Sequence, residues 1–306
     1  MKKICAFVAA FGLFLSIGFS QNTVAIGYST NAARFGEGDV TLYEDACLAG
    51  ITQSKQCKGL ARREWEAILK EKGIQKTEDF LKGNIAPQGE SLGADYLILL
   101  TMQSLESKDE RSTDNDGKSS RTVNATLIIS VKAVDVRTGE VGHNKVISIN
   151  ESASGAAGTG TYSASERDIV AGFKESFVKK FSFQLSTFMY ELFPPDVKIV
   201  KIEETDKKGN KAKAVLVKSS SPLPENAFLD IYMVYEESID GEIMTRKIDY
   251  GRLKIKNVES EKLALCVVKS KAEEIFQAFT DQKQLKCTVS FETGWLPQIN
   301  LPFKIN

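Results

Sequence analysis

Between residues 123 and 133 apolar side chains hold every second position. Val123, Ala125, Leu127, Ile129, Val131 and Ala133 alternate with Asn124, Thr126, Ser130 and Lys132. A period of two belongs to a strand with one face in a core and the other against water. Thr138-Gly139 then supplies a turn two residues wide, with glycine free to take the positive φ such turns demand, and "EVGHNKVISI" returns antiparallel. Ahead of this hairpin, "GADYLILLTMQSL" predicts a strand over 95–105 whose near-continuous apolar run implies burial on both faces. Earlier still, "TVAIGYS" is a short apolar start, followed by a Gly-rich irregular stretch. "GLARREWEAILKEKG", residues 59–73, predicts an amphipathic helix with Leu60, Trp65, Ile68 and Leu69 on one side and Gly73 as its stop.

After the hairpin a Gly/Ser/Ala/Thr segment, 152–163, leads into the longest predicted helix. Ser163 and Glu166 stand at capping-box spacing, and Phe173, Phe177, Phe181, Leu185, Phe188 and Leu192 recur at helical spacing, a stripe for packing on a sheet. Pro194-Pro195 ends the helix and marks a domain boundary. Beyond it lie five short alternating runs, "DVKIVKI", "KAKAVLV", "AFLDIYMVYEE", "GRLKIKNV" and "KLALCVV", with one short helix, 272–279, appended. That texture predicts a small barrel or sandwich. The expected fold class is therefore α+β: an α/β domain over 21–194, a small all-β domain over 195–290, and a tail over 291–306.

The first twenty residues are set apart by a basic start (Lys2, Lys3), an apolar run over 4–15, and small residues at Gly18 and Ser20 before Gln21. This is the order of a secretory signal peptide, with cleavage expected between Ser20 and Gln21. Cys5 lies too early to be the acylated cysteine of a lipoprotein, and no later stretch has the apolar length of a membrane helix. Export makes the remaining cysteines, Cys47, Cys57, Cys266 and Cys287, disulfide candidates with three possible connectivities; Cys47–Cys57 and Cys266–Cys287 close the shortest loops.

Charge removes one class of partner. Forty basic residues balance forty acidic ones, so a nucleic-acid footprint is not expected. The single histidine, His143, follows the hairpin turn with no motif around it. "GAAGTG" lacks the order of a dinucleotide fingerprint and the Lys-Ser/Thr of a P-loop, and is expected to be a flexible loop. The carboxylates of "ESKDER" and "DND" are expected in solvated loops, and no cysteine or histidine spacing fits a zinc site. The chain is expected to bind, without cofactor or metal, and not to catalyse.

Two motifs give the hairpin a context. Gly93-Ala94-Asp95-Tyr96 at the entry of one strand, and Val134-Asp135-Val136 with Thr138-Gly139-Glu140 at the end of the next, resemble the CsgG (curli secretion channel) family over residues 23–193. The helix of 59–73 and the long helix after Ser163 fall where that family has helices. The resemblance implies a periplasmic α/β domain similar to anticodon-binding and TolB N-terminal domains. The later part is more faintly similar to the small β domain of the flagellar T-ring protein. In channel members two insertions, here between Leu105 and Val123 and between Ile149 and Ser165, become membrane hairpins. Here the first has charge on both alternating faces and the second is Ser/Ala/Gly/Thr-rich, so neither offers a lipid face. The resemblance thus implies a periplasmic accessory or scaffold protein whose partners are envelope proteins, itself included if it oligomerises, with membrane association at most peripheral. The alternative is a subunit of an outer-membrane secretion channel.

Overall fold

The computed structural model describes residues 22–27, 29–32, 37–60, 94–239 and 242–291. The expected cleavage site at Ser20-Gln21, Gly93 of the first motif, residues 61–73 of the predicted helix and the tail from 292 lie outside them. The architecture is α+β, in two sheet-rich halves.

The first half is a mixed sheet. Its strands are β1 (Thr23–Ile26), β2 (Thr30–Asn31), β3 (Lys58–Leu60), β4 (Tyr96–Thr113), β5 (Ser119–Asp135) and β6 (Val141–Ala156). They run in the order β3-β1-β4-β5-β6, with β2 beside β4. β1 is parallel to β3 and β4, while β4, β5 and β6 are antiparallel. Helices α1 (Glu37–Ser54) and α4 (Lys174–Leu192) cover one face. There the alternating side chains of β5 pack with Ile98, Leu100, Met102, Ile147 and Ile149 beneath Phe177, Phe181, Leu185 and Phe188. The stripe read from the sequence is this contact. Two short helices, α2 (Gly160–Ser163) and α3 (Glu166–Gly172), precede α4.

Several elements depart from expectation. Lys58–Leu60 is a strand, not the start of a helix, because Thr23–Ala25 pairs with it. The stretch read as irregular holds α1, which the sequence hid because its residues are buried against both α4 and the sheet and leave no clear polar stripe. The predicted cap of the long helix is absent: Ser163 belongs to α2, Ser165 caps α3 by accepting the Asp168 N–H on its Oγ, and α4 starts from Phe173 with no side-chain cap. β4, β5 and β6 each run past the predicted ends, so segments expected as loops are strands.

The second half is a closed barrel in the order β10-β11-β8-β7-β12-β9. Its strands are β7 (Asp196–Thr205), β8 (Ala212–Ser219), β9 (Phe228–Ile239), β10 (Glu242–Ser260), β11 (Leu263–Val268) and β12 (Leu285–Ser290). The sixth strand, β12, closes what five would leave open by pairing with both β7 and β9. Helix α5 (Ala272–Thr280) is no appendage, since Ile275 and Ala278 are buried in the barrel core. The outer part of the β9–β10 hairpin pairs with no further described strand and leaves Ile243 74% exposed.

Candidate functional site

The two sequence motifs meet at the base of the first sheet. The Asp95 carboxylate accepts the Thr23 N–H at 2.7 Å, and the Asp95 carbonyl accepts the Val136 N–H at 3.0 Å, so one residue ties β1 to the end of β5. Ala94 and Val136 are buried with Ala25 and Leu97 in a small core there. Tyr96 packs edge-on against Phe193 at the end of α4, ring centroids 5.2 Å apart.

The hairpin end is wider than two residues. Gly139 N–H donates to Asp135 O at 2.8 Å and Asp135 N–H to Glu140 O at 3.0 Å, a closure around residues 136–139. Asp135 Oδ1 accepts the Arg137 and Thr138 N–H groups, and Thr138 Oγ1 accepts the Glu140 N–H. Those donors, Arg137 first, hold the Asp135 carboxyl below its usual range. Gly139 takes φ +70. Every polar group of the motif with a described contact is thus satisfied within the chain, and Val134 is buried in the sheet. His143 stands exposed opposite Ala133 on β6.

Past Met102 the sheet narrows to a three-stranded arm of β4, β5 and β6, at the positions of the two insertions. Register divides its side chains. Leu105, Ser107, Asp109 and Arg111 lie on the helix-covered side with Arg121 and Val123; Glu106, Lys108 and Glu110 lie on the other with Thr122 and Asn124. The arm therefore carries charge on both faces. Arg121, only 3% exposed, holds it together. Its guanidinium meets both Asp109 carboxylate oxygens, at 2.8 and 2.7 Å, and donates to the carbonyls of Thr161, Tyr162 and Ala164. Arg111 lies over the Tyr162 ring, and Ser107 donates to Glu166. The stretch expected as a flexible glycine loop is instead β6, a turn and α2. Gly155 is needed where α2 crosses, since a Cβ there would stand 2.5 Å from Thr159 Oγ1.

The halves join through α4 and a polar knot. Tyr190 of α4 belongs to the barrel core, while Phe188 and Met189 belong to the sheet core. Buried Gln56 donates through Nε2 to Ser54 O and Pro222 O, at 3.1 and 3.0 Å, and accepts from Ser221 Oγ at 2.5 Å. Beside it opens a cleft of about 690 Å³ lined by Phe193, Pro194, Pro195, Pro222, Lys55 and Glu261 among others. Its lining mixes apolar and polar side chains and includes an ion pair, Lys55 to Glu261 at 3.8 Å.

The predicted disulfides are absent: Cys47, Cys57, Cys266 and Cys287 are free, buried thiols. Cys57 Sγ instead lies 3.9 Å from Met189 Sδ. Burial pushes the Cys57 and Cys266 thiols up to about 12, and raises Cys47 and Cys287 as well. None is poised as a thiolate nucleophile. Among the described residues no three His, Cys, Asp or Glu side chains gather as a metal site, and no helix is long and apolar enough to cross a membrane.

No family model and no curated protein matches the sequence. Solved structures are similar to parts of the chain at low scores. Lipoprotein GNA1162 from Neisseria meningitidis is 12% identical, with 53% of this chain aligned to 98% of that one at a TM-score of 0.31. The PelC dodecamer from Paraburkholderia phytofirmans is 12% identical over 54% of this chain and 90% of its own, TM-score 0.28. The LpoB C-terminal domain from Escherichia coli is 11% identical over 43% and 85%, TM-score 0.27. At these scores the likeness assigns neither family nor function to this chain.

Proposed function

We propose that this chain is an exported, CsgG-like accessory or scaffold protein of the bacterial envelope that works by binding other envelope proteins. The observation that carries the reading is the motif joint: Asp95, Asp135, Thr138 and Gly139 spend their polar groups on holding strands together. A motif used up in this way supports scaffolding, and the ordered signal pattern at residues 1–20 supports export. The non-catalytic reading is part of the proposal, and so is a periplasmic location.

The second reading, a subunit of an outer-membrane secretion channel, is favoured by one observation: the two insertions form long antiparallel strands. Against it stands their chemistry. A lipid-facing strand needs one apolar face, and basic residues near the bilayer midplane cost about 2–4 kcal/mol each, whereas this arm has Lys108 on one face and Arg111 and Arg121 on the other. Fractionation separates the two. The accessory reading expects the processed chain to leave the envelope without detergent and to capture defined envelope proteins when purified as bait. Recovery only in detergent, as a heat-resistant oligomer, would establish the channel reading instead.

A further inference from the structure

The arm has two free edges, and the chain treats them differently. On the outer edge of β4, residues 105–113 pair with no described strand on the side away from β5. That edge is crowded with Glu106, Lys108, Asp109, Glu110 and Arg111, the usual defence against unwanted strand pairing. The edge of β6 carries no such defence. From Val146 to Ala156 its only charged residue is Glu151, held by Lys180 at 2.6 Å and by Ser176, and there is no proline. The Ala157 N–H donates to Ser119 O, so odd-numbered residues of β6 turn their backbone groups toward β5 and even-numbered ones turn outward. Lys180 Nζ reaches one of those outward carbonyls, at Asn150, 3.3 Å away. Among the described residues no strand meets the rest.

We propose that two copies of this chain join edge to edge through β6, antiparallel and two-fold, with Ser148 of each on the axis. Outward residues must face outward residues. That allows an axis through any residue from Val146 to Asn150, since an axis on Ile147 or Ile149 also pairs even residues with even ones, and each sets different cross-strand neighbours. With Ser148 on the axis, Ile147 faces the partner's Ile149 on the helix-covered side, and Lys145 faces the partner's Glu151. Both contacts occur twice; the isoleucines are already buried in each copy's own core, so the opposite-charge pair is what selects this register. With Asn150 or Ile149 on the axis, Glu151 would face the partner's Ile149 or the partner's Ile147; with Val146 or Ile147 there, Lys145 would face the partner's Ile147 or the partner's Ile149. Only the Ser148 register matches charge to charge. Lys145 already lies 2.5 Å from Glu191, and Glu151 2.6 Å from Lys180. The join therefore links two ion pairs into one alternating row across the interface. This inference is independent of the envelope-scaffold reading: a chain that captures no envelope protein still dimerises.

The test uses the full processed chain. Sedimentation at micromolar concentration is expected to show a dimer. Ser148→Cys, with native thiols buried, is expected to give a covalent dimer with a short thiol–thiol crosslinker, and Ser107→Cys on the β4 side none. Ser148→Pro removes one outward N–H that the monomer does not use, so the dimer is lost while the melting curve is kept. Lys145→Glu and Glu151→Lys each weaken the dimer by roughly tenfold, two symmetric pairs being lost together, and reversing all four charges of the row, with Glu191→Lys and Lys180→Glu added, restores it. This last comparison decides the matter if the proline variant does not fold. A chain that is monomeric throughout, a closed ring of more than two copies, a crosslink at position 107, or a fourfold reversal no better than the single ones would each overturn the proposal.

Discussion

Gly139 and Gly50 show two different reasons for glycine, and the variants that separate them. At Gly139 nothing stands within 4 Å of an added Cβ, yet φ is +70. The demand is purely one of backbone. Gly139→Val is expected to cost about 1–3 kcal/mol in a thermal melt, and Gly139→Asn much less, because Asn tolerates the left-handed region. At Gly50 the demand is space: a Cβ would stand 2.5 Å from Ser182 O, where α1 crosses α4. The Ser182 Oγ at that crossing is buried with no hydrogen-bond partner. Ser182→Ala is therefore expected to raise stability, by up to about 1 kcal/mol; a drop in melting temperature would show that the hydroxyl has an acceptor after all. Asp109 is one residue where pH acts on the arm. Hydrogen bonds from Arg121 hold its carboxyl below the ordinary 3.8. A depressed folded value means the clamp on 160–165 is fully present above the ordinary value and is lost as pH falls through the lower, folded one. Amide NMR shifts across 160–165 are expected to move in that acid window, and Asp109→Asn to produce the same shifts at neutral pH.

At the scale of elements, α4 supplies the phenylalanine rings of the first core, Phe177, Phe181 and Phe188. Phe181→Ala removes a fully buried ring that also packs edge-on against Tyr43, centroids 5.7 Å apart, at an expected cost of about 3–5 kcal/mol by denaturant titration. This helix was legible in the sequence because one face is buried and the other wet, so the apolar stripe survives. β5 was legible for the same reason. Helix α1 was not, because α4 and the sheet bury it from two sides and erase the polar stripe that marks a surface helix. The arm was not legible either. Its strands have charge or hydroxyls on both faces, a pattern that sequence reasoning assigns to loops. What makes them strands is non-local: pairing from Thr113 with Ser119 back to the base, and a buried Arg121 tied to three carbonyls some forty residues away. The cysteines failed for a related reason. Their spacing and compartment favoured bridges, but each thiol fills an apolar site, and packing explains their positions without a covalent bond. That Asp95 and Asp135 accept backbone N–H groups, from Thr23 and from Arg137 and Thr138, depends on pairings that no sequence pattern displays.

At the scale of the whole molecule, the proline pair that marks the boundary in the sequence does not make a loose linker. Tyr190 lies in the barrel core one residue after Met189 of the sheet core, and Cys287 N–H on β12 donates to Pro195 O at 3.1 Å. Phe183 of α4 also meets Phe291 after β12, ring centroids 5.0 Å apart. Gln56 adds the polar link to Ser221 and Pro222, and because it is buried, cutting it leaves unpaired groups at an expected cost of about 1–3 kcal/mol. A helix shared by two cores couples their unfolding, since the barrel cannot lose its packing on Tyr190 without exposing the end of α4. Calorimetry of the full chain is accordingly expected to show one transition for both halves. The double variant Gln56→Ala/Tyr190→Ala removes the polar knot and the shared ring together, so the two halves should then melt separately, the barrel at its own temperature. Two transitions in the unaltered chain would mean that the junction transmits no stability and that the halves are independent domains joined at Pro194-Pro195.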